Sequence, residues 1–461
     1  MQQAIQLWKE LEGTNNLYPN WVDKEAGIRT IRFSNTVARE LAILITQNID
    51  IKTAPLYGSA DKANFIQQAI DKSFLINAQE NIEKMIRLGG IMAKWNGEGI
   101  DYITPDMFLV TDFDSNGTIN GCIFFSFYNE KEKYYTRAEW QRFNKVTRKN
   151  EETGETEDIK VYKISNKAFV SSNKDEIGRE IPLSKTKWSD IQEEVSIDGL
   201  GYPLFSYIKN PYSNTIDSDS PLGVSLFEEC IEELRALDIA FSRFSDETED
   251  SRHIMFVDNS TITYAENNNI KLPRIIKGLD MGVNVENTVH EFNPTMQVVE
   301  REDGINLLLS IISYKCGFSA GYFSFNEKTG IATATQVESD DRRTLNTVNA
   351  YRNVLSRPDC NGDGRVGVIH DIAYMIDTMV TMNGEFSPTE YGNYEIYADF
   401  ADLTDNPQED KAEDYQLTLQ GFYPKWYYLV QHKGFTEEDA KAMVEMARSD
   451  NQTDSSLFGD E

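Results

Sequence analysis

The residues best suited to chemistry in this chain lie in one turn-rich segment. Asp359–Gly364 reads D-C-N-G-D-G, which matches the start of a calcium-binding loop. Alternating oxygen ligands there could wrap a hard cation, but the twelfth position is His370, which supplies no oxygen. The carboxylate comes one residue later, at Asp371. The segment therefore has two interpretations, a calcium loop and a plain Asx-rich turn, and we favour the turn, with no bound metal.

No other segment carries a catalytic pattern. A GxGxxG sequence occurs once, at Gly362–Gly367, but it follows a helical stretch, whereas a dinucleotide site follows a strand. The four histidines lie far apart in the sequence, without metal-ligand spacing. P-loop, nucleophile-elbow and zinc-protease motifs are missing from the sequence. We therefore expect no catalytic residues, no cofactor and no enzymatic activity. A hydrolase with an unrecognised carboxylate pair among the 75 acidic residues is an alternative.

The overall charge limits the classes of partner. The 461 residues carry a net charge of −30, which argues against a general nucleic-acid binder and against an anionic-membrane binder. An acidic surface would still allow DNA to pass without sticking. No apolar run approaches the ~20 residues that span a bilayer. The four cysteines are scattered without a CxxC pair, which favours free thiols in a reducing cytoplasm over one disulfide.

Two long amphipathic helices form the predicted centre of the chain. Pro221–Asp250 places apolar residues at helical spacing, and Ser220 and Pro221 are typical of a helix start. We expect this stripe to pack against a second helix, Met296–Lys315, and against neighbouring subunits. The stripe residues chosen for that packing are Phe227, Ile231, Leu234, Leu237 and Phe241.

The elements around this pair predict an α+β fold. Helical patterns come first, and period-two patterns typical of short strands follow from Ile91 onward. Tyr134–Thr136 and Val161–Ser165 extend the strand meander, and the acidic segment Lys149–Asp158 between them predicts a surface loop. Beyond the second long helix the sequence predicts a Gly- and Ser-rich loop, another long helix, a strand at Tyr394–Phe400 and three final helices.

Several stretches together resemble the portal proteins of tailed double-stranded DNA bacteriophages, of the type found in phages of Gram-positive bacteria. FSNTVARELAILITQNIDI, GGIMAKW, YYTRAEW, YKISNKAFVSS and PLFSYIKNPYSNT are similar to the first half of that family. SPLGVSLFEECIEELRALDIAFSRF is similar to its first stem helix, and GFTEEDAKAMVEMA to its crown region. GYFSFNEKTGIATATQVESDDRRT is the most specific match, to the channel loop and the long helix after it. Arg357–Val368, with a proline and three glycines, departs from the uninterrupted helix of the family.

The resemblance implies a division of the chain into a wing, a two-helix stem, a small α/β clip and a helical crown. The wing consists of helices followed by an antiparallel sheet. The implied boundaries are 1–220 for the wing, 221–250 for the first stem helix, 251–294 for the clip, 295–317 for the second stem helix, 318–383 for the channel loop and the long helix under the crown, and 384–461 for the C-terminal wing and crown helices with the tail.

The resemblance also implies a function. A homo-oligomeric ring, expected to be a dodecamer, would sit at one capsid vertex as a channel for packaging and ejecting double-stranded DNA. Its further partners would be the terminase large subunit, a head–tail adaptor, and the major capsid and scaffolding proteins, with no membrane involved. The protein would be part of the virion and would assemble in the bacterial host cytoplasm. The remaining alternative is a calcium-binding scaffold or adhesion protein that uses Asp359–Gly364.

Two sets of residues are candidate DNA contacts. Lys328, Thr329 and Gly330 form the tip of the implied channel loop, where Lys328 would face the duplex. Lys271, Arg274 and Lys277 form a small basic island in the implied clip.

Overall fold

The computed structural model of this chain divides into two units, Met1–Phe400 and Ala401–Glu461, which are described separately. The described residues are 2–47, 49–56, 60–96, 99–149, 156–250, 254–258, 262–264, 267–268, 270, 276–279, 289–292, 297–324, 334–358, 365–400, 407–420, 422–433 and 435–446.

Four helices open the first unit, as predicted. They are α1 (Gln2–Glu12), α2 (Phe33–Thr46), α3 (Asp61–Ser73) and α4 (Ala78–Leu88). α2 buries an apolar stripe of Val37, Leu41 and Ile45 and packs against α4. α4 ends at Gly89, whose φ of +84° is a left-handed conformation that glycine adopts without strain.

Two antiparallel sheets follow these helices. The first is three-stranded, in the order β10-β2-β3, and the second is six-stranded, in the order β4-β5-β6-β7-β8, with β9 paired to β7. The strands are β2 (Gly90–Trp95), β3 (Ile100–Ile103), β4 (Phe108–Phe113), β5 (Ile119–Glu130), β6 (Lys133–Lys149), β7 (Thr156–Ser171), β8 (Arg179–Ile181), β9 (Glu194–Asp198) and β10 (Phe205–Lys209). Met92, Phe108, Phe124 and Phe205 pack together between the two sheets.

The β6–β7 ribbon is longer than predicted. β6 and β7 pair without interruption from Tyr134–Ser171 to Lys149–Thr156, so the predicted loop at Lys149–Asp158 was wrong at both of its ends. Within the extended part of β6, the buried polar side chain of Glu139 accepts a hydrogen bond from Lys94 Nζ at 2.7 Å. A pattern search based on apolar residues cannot identify such positions.

The second half of the first unit carries the two long helices. α5 (Ile231–Asp250) and α6 (Val298–Lys315) flank a small sheet of order β12-β11-β13, built from β11 (Ile254–Asp258), β12 (Ile276–Leu279) and β13 (Val289–Phe292). β11 pairs with β12 in parallel and with β13 antiparallel. Residues 262–264 are helical.

The remaining elements of the first unit end in a strand that pairs with a strand near the start of the chain. α7 (Ala334–Leu355) is followed by the paired two-residue strands β14 (Arg357–Pro358) and β15 (Arg365–Val366), and then by α8 (Val368–Met382). The predicted interruption of the long helix is thereby confirmed. β16 (Tyr394–Phe400) pairs along its length with β1 (Ile49–Pro55) in an antiparallel sheet.

The second unit contains the three predicted C-terminal helices, α9 (Pro407–Gln420), α10 (Lys425–Lys433) and α11 (437–446). His432 Nε2 lies 2.7 Å from Asp414 Oδ2 and connects α10 to α9. Thr436 Oγ1 accepts a hydrogen bond from the Asp439 backbone N–H at 3.2 Å, which caps the start of α11. With its separate helices and antiparallel sheets, the chain has the predicted α+β fold.

Candidate assembly interface and channel loop

The α-helix α5 begins at Ile231, later than its apolar pattern predicts. Backbone contacts with α4 are the reason, since a Cβ at Gly223 would collide with the carbonyl oxygen of Gly89. Asn210 Nδ2 also donates to the Ile86 carbonyl at 3.1 Å, next to this crossing. These contacts hold residues 221–225 in a non-helical path across the end of α4, despite their local helix-start signals. A single 3-10 turn, Glu228–Cys230, then leads into α5.

α5 and α6 form an antiparallel pair that is tied at both ends. Lys315 Nζ contacts Glu233 Oε1 at 2.6 Å, and Arg301 Nε contacts Glu247 Oε2 at 2.9 Å. Between these ion pairs the two helices bury apolar side chains on their facing sides. The buried set is Leu234, Leu237, Leu309 and Ile312.

The N-terminal segment, residues 21–31, covers part of α5. The buried Asp238 carboxylate accepts the Trp21 indole N–H at 2.9 Å and the Ile31 backbone N–H at 3.0 Å. The Arg29 backbone N–H donates to Ser242 Oγ, one helical turn further along, at 2.9 Å. Burial raises the pKa of Asp238, and the hydrogen bond from Trp21 opposes that shift. This side of α5 is therefore covered within its own subunit.

The predicted stem-packing residues thus fall into two groups. Phe227, Leu234 and Leu237 are buried by the rest of the same chain. Ile231 is half-buried, and Phe241 is exposed. Only the second group retains apolar surface for a contact with another molecule.

α6 presents a second apolar face that the sequence pattern did not separate from the first. Leu307, Ile311 and Tyr314 follow one another at helical spacing, and we call this set the α6 outer face. Leu307 is 63% exposed and Tyr314 is 55% exposed. Grouped apolar exposure of this kind is typical of a protein interface.

The signal for this face was present in the sequence. Apolar residues between Leu307 and Ile312 occupy more than one side of the helix, and a helix that is apolar on several sides must be covered on several sides. The pattern alone does not show which of these sides the subunit itself covers.

The predicted loop-tip residues Lys328, Thr329 and Gly330 lie outside the described residues. The chain leading to them is anchored by aromatic contacts: the Phe323 ring packs edge-on against Phe33, with centroids 5.3 Å apart. Tyr322 also donates its hydroxyl hydrogen to Glu40 Oε1 at 2.7 Å.

Beyond segment 325–333, α7 is bound to the end of α6. The Arg343 guanidinium lies 3.8 Å from the centroid of the Tyr314 ring and donates to the Tyr314 carbonyl at 2.9 Å. Thr347 Oγ1 donates to the Gly317 carbonyl at 2.7 Å. Described elements on both sides of segment 325–333 are therefore fixed to α2 or α6.

Most of the other candidate residues also lie outside the described part of the chain. This holds for Lys271 and Arg274, whereas Lys277 lies within β12. The calcium-loop candidates Asp359, Asn361 and Asp363, together with the first two glycines of the GxGxxG sequence, are likewise outside it. Among the residues that are described, no group of three or more His, Cys, Asp or Glu side chains is placed to hold a metal ion.

Asp371, the carboxylate one residue beyond the twelfth position of the calcium-loop pattern, is hydrogen-bonded to a side chain of the same subunit. It lies in the first turn of α8 and accepts a hydrogen bond from Ser206 Oγ at 2.6 Å. Asp371 is exposed, but desolvation by the protein around its carboxyl raises its pKa to about 6, and the hydrogen bond from Ser206 opposes the shift. A cavity of about 570 Å³ lies beside it, lined in part by Arg357 and Tyr374.

Within the described ranges, every helix is too short or too polar to cross a membrane.

Comparison with known proteins gives only distant structural likenesses. No protein-family model matches the chain, and no curated protein sequence matches it significantly. The chain is similar to a chain of the "Neck of native GTA particle computed with C12 symmetry", at 9% identity and a TM-score of 0.38, covering 86% of this chain and 88% of that one. It is also similar to a chain of the "Virion of native gene transfer agent (GTA) particle", at 9% identity and a TM-score of 0.41, with 87% and 89% covered. Likenesses with TM-scores below 0.5 do not assign a function to this chain.

Proposed function

We propose that this chain is the structural subunit of a portal ring in a tailed-phage particle, and that the ring forms a channel through which double-stranded DNA is packaged and ejected. It would act without enzymatic activity of its own. It would dock the terminase large subunit and the head–tail adaptor, contact the major capsid and scaffolding proteins, and be part of the virion after assembly in the host cytoplasm. The observation that carries the proposal is the tied α5–α6 pair with its exposed α6 outer face.

The covered and exposed sides of this pair support assembly into a ring. α5 is covered on one side by residues 21–31 and on another by α6, whereas the α6 outer face is exposed in the subunit. Phe241 on α5 is also exposed, at 41%. If the α6 outer face of one subunit packs on the Phe241 region of the next, the two contacting surfaces differ. Such heterologous contacts form a closed ring when the rotation between neighbours closes.

The charge of the chain supports passage of DNA without tight binding. With a net charge of −30 per subunit, a ring of these chains would repel phosphate and let a duplex slide. Glu300, Glu302 and Asp303 are exposed near the start of α6. Lys328 and the basic island at Lys271, Arg274 and Lys277 would supply sparse contacts that do not depend on base sequence. The wing, stem, clip and crown boundaries given above belong to this proposal.

The decisive experiment substitutes one residue of the α6 outer face. Leu307→Asp should abolish rings, because it places a charge in the proposed contact. It should leave the subunit folded, because the side chain is exposed within it. Ring formation is measured by light scattering after size-exclusion chromatography and by negative-stain electron microscopy, and folding by circular dichroism.

Two variants make the result specific. Leu109→Asp changes a similarly exposed leucine in β4 and should leave the rings intact. Leu234→Asp places a charge at a site only 4% exposed and should impair folding itself. Wild-type protein that forms no ring, or Leu307→Asp protein with normal rings, would contradict the proposal.

A further inference from the structure

Two cysteines meet where the long helices come together. Cys230 directly precedes α5, and Cys316 directly follows α6. Their Sγ atoms are 3.7 Å apart, although the residues are 86 positions apart in sequence. Both side chains are fully buried. Their spacing in the chain does not pair them, because only the antiparallel packing of α5 and α6 brings them together.

We propose that Cys230 and Cys316 form a disulfide when the folded protein meets a peroxide, and that this bond staples α5 to α6. A disulfide has an S–S length of about 2.05 Å, so the two sulfurs must approach by only about 1.7 Å. Both cysteines stand at helix ends, where the backbone is easier to adjust than within a helix. Gly317, which follows Cys316 with a φ of +83°, ends that helix directly beside the pair.

The reaction requires one oxidant, a peroxide. One thiol loses its proton, and the thiolate attacks a peroxide oxygen, giving a sulfenic acid and, after proton transfer, one water. The second thiol then attacks the sulfenic sulfur, and the second water leaves. Two thiols and one hydrogen peroxide thus become one disulfide and two waters.

The surroundings of Cys230 and Cys316 make this reaction slow and favour small oxidants. The contact with Cys230 and burial both raise the pKa of the Cys316 thiol, so little thiolate is present at neutral pH. Hydrogen peroxide is small and neutral and can enter a packed interior more easily than a bulky disulfide reagent. Burial would likewise protect the finished bond from large reductants.

The disulfide would constrain α5, α6 and the small sheet that lies between them in sequence. It would close a loop containing α5, β11–β13 and α6, which reduces the conformational freedom of the unfolded chain. A reducing cytoplasm would keep the thiols free during assembly, and an oxidising exterior would allow the bond to accumulate afterwards. That timing rests on the proposed virion function, whereas the oxidation itself does not.

The test uses the full chain, reduced and then exposed to hydrogen peroxide. The protein is denatured, alkylated, digested without reductant and analysed by mass spectrometry. We expect a Cys230–Cys316 linked peptide pair two hydrogens lighter than the separate peptides, and a melting temperature above that of the reduced protein. Cys316→Ala should lose both effects, whereas Cys122→Ala, which removes another buried thiol, should retain both.

Three outcomes would overturn the inference: both thiols alkylated after peroxide treatment, sulfinic acid at either residue without a link, or a link to Cys360. Cys360→Ala should leave the Cys230–Cys316 link in place. If Cys316→Ala does not fold, the wild-type peptide map alone decides between these outcomes. Negative-stain images of the same wild-type sample report ring formation separately, so failure of the proposed function is distinguishable from failure of the disulfide.

Discussion

A buried ion pair between Lys62 and Asp377 gives the sharpest test of how the first unit is held together. Lys62 lies on α3 and Asp377 on α8, and their side chains are in direct contact while only 5% and 1% exposed. The Asp377 carboxylate also accepts hydrogen bonds from Thr381 Oγ1 and from the Gly392 backbone N–H, each at 3.1 Å. Lys62 Nζ donates in addition to the Glu390 carbonyl at 3.1 Å. The pair therefore joins α8 to a helix from the start of the chain.

Lys62→Met removes the charge and retains most of the side-chain length. Asp377 is then a buried carboxylate without its cation, and breaking a buried pair in this way costs about 3–5 kcal/mol of unfolding free energy. The hydrogen bonds that Asp377 retains place our expectation at the lower end of that range. Lys84→Met is the matched control, since the Lys84–Glu80 pair is 37% and 66% exposed and should contribute at most about 1 kcal/mol.

Urea unfolding followed by tryptophan fluorescence measures both variants. The midpoint should fall for Lys62→Met with an unchanged dependence on urea, because the surface exposed on unfolding stays the same. Lys62→Met combined with Asp377→Leu completes a double-mutant cycle and gives the coupling energy between the two charges. A loss of less than about 1 kcal/mol for Lys62→Met, equal to that of Lys84→Met, would refute the reasoning.

Two further predictions concern a titrating carboxyl group and the channel loop. Desolvation by the surrounding protein raises the pKa of Asp371 from 3.8 to about 6, so the folded protein binds this proton more tightly than the unfolded chain, and stability should fall as pH rises through that interval. Because Asp371 is exposed, solvent screening makes this loss smaller than the full pKa shift would give. Asp371→Asn should remove this slope from urea unfolding measured across pH, and an unchanged slope would contradict the assignment. Lys328→Glu should leave rings intact but lower the DNA per particle in nuclease protection, whereas Lys131→Glu, at a turn lysine that is 89% exposed, should change neither. Normal DNA content in Lys328→Glu particles would show that Lys328 does not face the duplex.

Elements with strong local signals could be predicted from the sequence. Tyr394–Phe400 is a strand with the predicted bounds. The start of α5 could not be predicted, because Ser220 and Pro221 are local signals, whereas the contact of Gly223 with Gly89 joins segments distant in sequence. Where such a contact forbids the helical path, the local preference is overridden.

The candidate interface could be predicted only in part. The helical period identified the apolar residues of α5 correctly, but burial depends on which segments pack over them. The polar residues Asp238 and Ser242 interrupt the apolar pattern, and they are the residues that bind the N-terminal segment. Nothing in the spacing of apolar residues indicates that partner, which lies more than two hundred positions earlier in the chain.

The two long helices therefore serve different purposes in the proposed ring. Because residues 21–31 are held to Asp238 and Ser242, the covered side of α5 cannot contact a neighbouring subunit unless those hydrogen bonds break. In the described part of the chain the α6 outer face is exposed apart from the Arg343 guanidinium over the Tyr314 ring, so contact with a neighbour there breaks none of these hydrogen bonds. Stability of the subunit is thus assigned to the buried side of α5, and assembly to the α6 outer face together with the exposed Phe241 of α5. A substitution at Leu234 should act before assembly and one at Leu307 only during it, which separates folding from ring formation within a single helix pair.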